Sequence, residues 1–531
     1  MDGNKLKSDV FEQINKILPR NIKVCFCSGM IIGLITHLYM ITHKIPNWDD
    51  ISQIDGLGLT NQVGRWMLEP LQYIGQKASN PAINGVLLIM FISLAACLVV
   101  STLKLESISS AVLIPAVMVT FPSVTGVLYF MFTAHVYSVG ILFFCLSAYL
   151  IQRFRFGFIP AGICIILGLA VYQPFVSVAI SLMLMVLILD GLRGGKFKML
   201  TINGLKYAET LAVSTFIYIQ ISKLIFPNMG EETYGGVNEM GKIALADIPK
   251  NFGRVYKRVL EYFITRPFSY VTSGMHVLNI LVCALIVILF AINFIQLKLW
   301  KKKLELAFIC LMIFFLPFAM GFVYFMAPNA PFSTLMLYAY SMLYVFALVL
   351  FERAFVQGEN IDNQENKSFY KGVKTACTLA VVLTVFFVAY GNYLLDSQAY
   401  FRSSIAVERV TNYYNRIITR VEEMSGYTVG DRVAILGEFY YKDNPSSVEI
   451  PIFKNDENYR ELDGVVLENG LITSGVRNNF IKTYLGFNPG YIWAEEKKAI
   501  LNSEEYKEMP DYPAEGSIAK ISDIWVVKLC E

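Results

Sequence analysis

Eleven stretches of this 531-residue chain are apolar for long enough to cross a bilayer: roughly 22–42, 82–103, 108–122, 126–151, 157–172, 174–192, 206–226, 276–297, 304–326, 333–355 and 372–395. No other feature limits the fold so tightly. A spanning segment needs about 20 mostly apolar residues and, with no water to bond, must satisfy its own backbone as helix. Charged residues make up 16% of the chain, where soluble domains carry about 25%, so lipid-facing surface has replaced solvated surface. The expected class is a polytopic α-helical membrane protein. The third, fifth and sixth stretches are short or closely spaced and are the ones expected to tilt or to cross incompletely. A formal net charge of +3 gives no reason to expect a nucleic-acid partner.

Short-loop lysines and arginines set the orientation. With a cytoplasmic N-terminus, twenty fall on inner segments and nine on outer ones. That bias places loops 43–81 and 227–275 outside, together with the residues after 395. The chain therefore divides into a membrane-embedded part, 1–395, and a soluble extracytoplasmic part, 396–531. In the second part, Val407, Val410, Tyr414, Ile417, Ile418 and Val421 follow helical spacing. The apolar runs 432–436 and 524–529 read as buried strands, giving a small mixed α/β domain. Eight of the nine cysteines lie in or beside apolar segments, and only Cys530 lies in the polar C-terminal part, so that part has no internal disulfide. No cleavable signal peptide is expected, since the first 21 residues are polar and the segment after them is long enough to span.

Both outer loops are long and amphipathic. In 43–81, Ile51, Ile54, Leu57, Val63, Met67, Leu71 and Ile74 approach helical spacing and predict a helix lying on the membrane surface. The 227–275 loop opens with the acidic, glycine-rich 230–236. It then turns basic through Arg254, Lys257 and Arg258, with Phe252, Val255, Val259, Tyr262 and Phe263 on one face. Those cations suit either a donor phosphate or the head groups of membrane lipids.

The candidate chemistry clusters in the first outer loop. Asp49 and Asp50 follow His43-Lys-Ile-Pro-Asn-Trp where the chain leaves the first span. Either acid, or Asn47, suits the cap of a helix starting near Ile51. The functional reading makes one carboxylate the base that takes a proton from an attacking hydroxyl and faces the positive charge of an oxocarbenium-like state. One acid can cap while its neighbour faces a cavity. Arg65, in Gly64-Arg-Trp66, is a candidate for a donor phosphate oxygen, since guanidinium forks fit phosphate. Trp48 and Trp66 are candidate substrate contacts, with an interfacial anchor as the plain alternative for Trp66. Tyr172 and Gln173, at the mouth between two spans, and His135, inside the fourth, complete the candidate lining; a packed neutral histidine is the bland reading of His135. Walker, Rossmann, zinc and Ser/His/Asp patterns are absent. No cofactor is indicated, and a divalent metal would need further carboxylates beside the two adjacent acids.

Ile45-Pro-Asn-Trp-Asp-Asp-Ile, Gly64-Arg-Trp, Phe121-Pro-Ser and Val171-Tyr-Gln, in this order and spacing, resemble the serotype-converting O-antigen glucosyltransferases (Gtr type II) of the GT-C superfamily. The resemblance covers about the first 200 residues by motif and the rest by general organisation. It implies a GT-C-like membrane fold in a bacterial cell membrane, to which the count above gives about eleven transmembrane helices. It also implies glucose or a related sugar carried on undecaprenyl phosphate, an external glycan acceptor, and transfer with inversion. By position, Asp49 or Asp50 would be the base, with Arg65, Tyr172 and Gln173 lining the site. Such an enzyme depends on a donor synthase and a flippase, because nucleotide sugars are made in the cytoplasm. A glycan polymerase or ligase, or a lipid-linked sugar flippase or transporter, is the alternative.

Overall fold

A computed structural model describes residues 18–54, 63–227, 244–266, 268–357, 367–438, 462–468, 471 and 474–530. The polar N-terminal stretch 1–17, Leu57, the acidic segment 230–236 and most of the polar 357–368 loop lie outside the described residues.

Among the described residues, eight helices are long and apolar enough to span: Arg20–Thr42, Pro81–Leu103, Ala134–Arg153, Gln173–Leu192, Ser273–Gln296, Lys303–Met320, Thr334–Phe355 and the apolar part of Lys367–Glu422. Local chemistry explains the departures from eleven. The third expected span is two helices, Ile108–Val119 and Pro122–Tyr129, bent by 42°. Pro122 opens the second helix, and Phe121 before it is extended at ψ 137°, as a residue preceding proline prefers. The fifth is a 14-residue helix, Phe158–Val171, which reaches only about 21 Å. The seventh belongs to the 29-residue helix Phe197–Ile225, where Glu209, Thr210, Ser214, Gln220 and Ser222 lower the mean hydropathy.

The first two spans pack closely because small residues let them. A Cβ on Gly33 would lie 2.6 Å from Ile89 Cγ2. Polar side chains tie the loops together at each end of the bundle. At one end, Arg193 donates to the Leu103 carbonyl (3.1 Å), Arg353 to that of Leu192 (2.9 Å) and Gln357 to that of Lys104 (2.7 Å). There the buried Glu352 accepts the Glu106 and Ser107 N–H groups and both the Ser107 and Ser110 hydroxyls, beside the Ser107 cap of the Ile108–Val119 helix. At the other end, Asn84 donates to the Met131 carbonyl (3.0 Å), the Met67 N–H to that of Ala170 (3.1 Å) and Gln173 to that of Val63 (2.6 Å).

The helix Lys367–Glu422 runs 56 residues without a break, so the boundary expected at 395/396 falls inside one helix. Beyond it, the expected strands form: β1 (Arg432–Leu436) pairs parallel with β3 (Ile524–Lys528), and β2 (Ile518–Ile521) pairs antiparallel with β3. Val410, Tyr414 and Ile417 of the long helix pack with Val433, Val527 and Phe480 in one core.

The first outer loop differs from the single surface helix its spacing predicts. Its described residues form Trp48–Ser52 and Leu68–Gln72 as separate short helices. Ile51, 2% exposed, joins the core of the C-terminal part, because Trp48–Ser52 lies against the Ser474–Leu485 helix. The chain's own C-terminal part covers Ile51.

A buried ion cluster fastens the C-terminal part to the long helix. Arg402 grips Glu468 with two bonds (3.1 and 2.9 Å) and Arg409 adds a third (3.0 Å). Against the desolvation that burial imposes, Arg402 and Arg409 hold the Glu468 carboxyl below its ordinary value of 4.5. A depressed carboxyl stabilises fully above its unfolded pKa and loses that contribution as pH falls through the folded one. Glu468→Gln should therefore lose about 3 kcal/mol at neutral pH, since it strands two buried or half-buried guanidinium groups. The gap to wild type should close as thermal unfolding is followed down through pH 4.5 and below.

Candidate functional site

Asn47 decides the geometry of the two acids. Its side chain accepts the Asp50 N–H at 2.7 Å and caps the Trp48–Ser52 helix. Capping therefore needs neither carboxylate, and both sit in the first turn, where the helix dipole favours negative charge. Successive positions on that turn then give the acids opposite environments.

Asp50 is fully buried. Its carboxylate forms an ion pair with Lys44, accepts the Ser79 hydroxyl, and accepts the Phe132 N–H at 3.2 Å. Lys44 also donates to Ser79 at 2.6 Å. Burial pulls the Lys44 ammonium below its usual pKa, and Asp50 offsets only part of that shift. Asp49 is exposed on the same turn. No hydrogen bond or ion pair from a described residue engages its carboxylate. Partial desolvation first, and the Asp50 charge second, raise its pKa above the ordinary 3.8. A more basic, unengaged carboxylate can accept a proton; a saturated one holds the loop. The sequence pair thus resolves into a structural acid and an available one.

Arg65, Tyr172 and Gln173 lie near one another. The Arg65 guanidinium lies 4.7 Å from the Tyr172 ring centroid and donates to the Tyr137 hydroxyl at 3.3 Å. Tyr137 and Tyr172 stack at 4.6 Å. Gln173 also donates to the Tyr218 hydroxyl at 2.8 Å, which donates in turn to the Gly64 carbonyl at 3.2 Å. The cation is thereby held on an aromatic pair by a scaffold that fixes both sides of Gly64-Arg-Trp66. Trp66 is anchored through its indole N–H to Ser222 at 3.2 Å, while Trp48 meets Phe130 edge-on at 6.3 Å and is 38% exposed. The two groups of residues meet through the start of the Ala134–Arg153 helix. Phe132 gives its N–H to Asp50 and its carbonyl to Gln72 (3.4 Å), and Tyr137 meets Arg65.

His135 is 1% exposed and lies beneath Gly75, where an added Cβ would stand 2.7 Å from its Cε1. The structure packs this residue under the loop. The basic cluster is largely engaged within the protein. Arg254 donates to the Pro328 carbonyl at 2.7 Å, and Arg258 lies 3.4 Å from Glu261 and 5.2 Å from the Phe332 ring centroid. Lys257, at 3.8 Å from Glu261, remains the most exposed of the three. Among the described residues, no three His, Cys, Asp or Glu side chains gather as a set of metal ligands.

Sequence reasoning passed over Lys44, Ser79, Ser333, Thr334 and Asp463, which complete the polar fabric around this mouth. Asp463-Gly464 is legible in the sequence only as a turn signal. Nothing local says that it reaches the bundle.

The unequal engagement of the acids has a measurable consequence. In thermal unfolding of the purified protein, Asp50→Asn should cost about 3 kcal/mol, because it leaves Lys44 without its counter-charge. Asp49→Asn should stay within about 0.5 kcal/mol of wild type, as surface changes do. Equal losses in the two variants would contradict this division.

Comparison with protein-family models matches residues 38–351 to Glucosyl transferase GtrII. No curated protein and no solved structure matches the chain. The matched stretch is more than half of the chain and includes Asp49, Asp50, Arg65, Tyr172, Gln173 and the basic cluster; the protein belongs to the GtrII glucosyltransferase family.

Proposed function

We propose that the protein moves glucose from a polyprenyl-phosphate carrier to a glycan acceptor on the outer side of the cell membrane, with Asp49 as general base. The observation that carries this reading is the exposed, unengaged Asp49 beside a saturated Asp50, on a capped turn that shares its scaffold with Arg65. An acceptor hydroxyl oxygen attacks the anomeric carbon from the face opposite the phosphate. The new glycosidic bond forms as the carbon–oxygen bond to phosphate breaks. The hydroxyl proton passes to Asp49, the leaving group departs as polyprenyl phosphate, and a single displacement inverts the anomeric configuration. A phosphate leaving group needs cations more than an acid. Arg65 fits that need, being held on Tyr172 with guanidinium N–H groups of fixed direction. Lys257 and the rest of the basic helix suit lipid phosphate at the same surface.

In this topology the N-terminus is cytoplasmic and the acids are external, so the donor must already have been flipped. That reading makes the enzyme dependent on a donor synthase and a flippase. Family membership favours transfer over the flippase, transporter and polymerase alternatives.

The test is transfer of labelled glucose from polyprenyl-phosphate glucose in membranes bearing wild type, Asp49→Asn and Arg65→Lys. Asp49→Asn should lose about 10²–10⁴-fold in rate at normal expression. Arg65→Lys, which removes the planar fork and its stacking, should raise the donor KM by about tenfold. For wild type, the acid limb of kcat/KM should fall above the ordinary carboxylate value of 3.8, because the base works deprotonated and its pKa is raised. Full activity in Asp49→Asn would sink the general-base assignment.

A further inference from the structure

The C-terminal part enters the mouth of the helical bundle through residues 462–468. The chain turns sharply at Asp463-Gly464, where the Val465 N–H reaches the Leu462 carbonyl at 3.2 Å and Gly464 adopts φ +78°. Two facts require glycine there. The left-handed backbone disfavours any side chain, and a Cβ would stand 2.5 Å from that of Tyr129 and 3.3 Å from Asn47 Nδ2. Asn47 is the residue that caps the acid-bearing turn. Phe130, whose ring lies 3.0 Å from the same added Cβ, is two residues from the N–H that binds Asp50.

The other side of the turn is pinned to the bundle. One Asp463 oxygen, Oδ2, accepts the Ser333 hydroxyl at 2.6 Å, the Thr334 hydroxyl at 2.9 Å and the Leu335 N–H at 2.9 Å. The Asp463 N–H returns to the Thr334 hydroxyl at 2.9 Å. Residues 333–335 open the turn Thr334–Tyr340 that leads into a spanning helix, and Ser123 holds the Thr334 carbonyl from beneath at 2.5 Å. Glu468, clamped by Arg402 and Arg409, fastens the far end of the segment. Ile51 adds a second hold on the acid turn through the Ser474–Leu485 helix.

We propose that Asp463 is a positioning residue of the transferase site. Pinned on 333–335 and pressed through Gly464 against Asn47 and Phe130, it fixes the Trp48–Ser52 helix and so the place of Asp49. The site is then composite. Its acids, Arg65 and the partners of Asp50 lie within the family-matched residues, and a further element that steadies the acid turn lies outside them. The activity half of this inference rests on the function proposed above; the structural half does not.

Two variants separate position from charge. Asp463→Asn keeps an oxygen able to accept the same three donors and loses the charge; Asp463→Ala removes the acceptor. In the full-length protein, Asp463→Ala should lower kcat by about tenfold or more while leaving the donor KM unchanged, as small misplacements of reacting groups do. Asp463→Asn should stay within about threefold of wild type. Hydrogen–deuterium exchange should rise in peptides covering 47–53 and 129–133 in Asp463→Ala and not in Asp463→Asn. Ser333→Ala, which deletes one of the three donors, should shift both readouts in the same direction by less, and serves if Asp463→Ala does not fold. An Asn variant as inactive as the Ala variant would overturn the proposal, since charge and not position would then be at work. Unchanged exchange at 47–53 in Asp463→Ala, or a change in KM in place of kcat, would overturn it as well. If wild type transfers no glucose from the lipid-linked donor, the proposed function fails, and the exchange data still decide whether Asp463 holds the acid turn.

Discussion

A carboxylate taken out of water must find donors for its lone pairs, and the mouth of this protein is arranged around one that does. Asp50 draws Lys44 from the end of the first span, Ser79 from the start of the second and the Phe132 N–H from the start of another. The loop's own Lys44 and two distant segments thus converge on one buried group. Stripping such a group of its partners is expensive, so the convergence is strongly specified. Asp49 inherits its position from that node, because it is the next residue on the same capped turn. The acid with the unengaged carboxylate is here held by a neighbour whose carboxylate is fully engaged.

The same rule recurs at the other end of the bundle. Glu352 is fully buried and gathers donors from 106–110, while arginines at 193 and 353 bond to carbonyls at the ends of neighbouring helices. In an apolar surround, loose polar ends are costly. Buried ions with several bonds close them, and the spans between are left to pack through apolar and small residues such as Gly33. Rigidity at the ends is what allows a site to be built from short turns with little regular structure of their own.

The C-terminal part belongs to this scheme as much as the bundle does. Its helix Ser474–Leu485 covers Ile51, its Asp463-Gly464 turn sits between Asn47 and 333–335, and its Glu468 is gripped by the long helix that precedes it. The unbroken helix Lys367–Glu422 makes the junction stiff, so the two parts meet as a fixed pair of surfaces.

Much of this was written in the sequence. Apolar runs of sufficient length dictate spanning helices because the bilayer leaves the backbone no other partner, and eight of the eleven form as single long helices. The runs at 432–436 and 524–528 form the expected strands. Period alone joined 51–74 into one helix where the described residues form separate short ones, and it did not say that the C-terminal part covers Ile51. Nor does a pair of adjacent aspartates reveal which is saturated. That depends on Lys44, Ser79 and Phe132 arriving from three directions, and on Asn47 taking the cap. The sequence determined the medium, the number of long crossings to within a few and the neighbourhood of the acids, all of which follow from local composition. Only the tertiary structure decided which acid is free, what holds it and that Asp463 reaches it, because Ser79, Phe132 and residues 333–335 arrive from distant positions with no local signature.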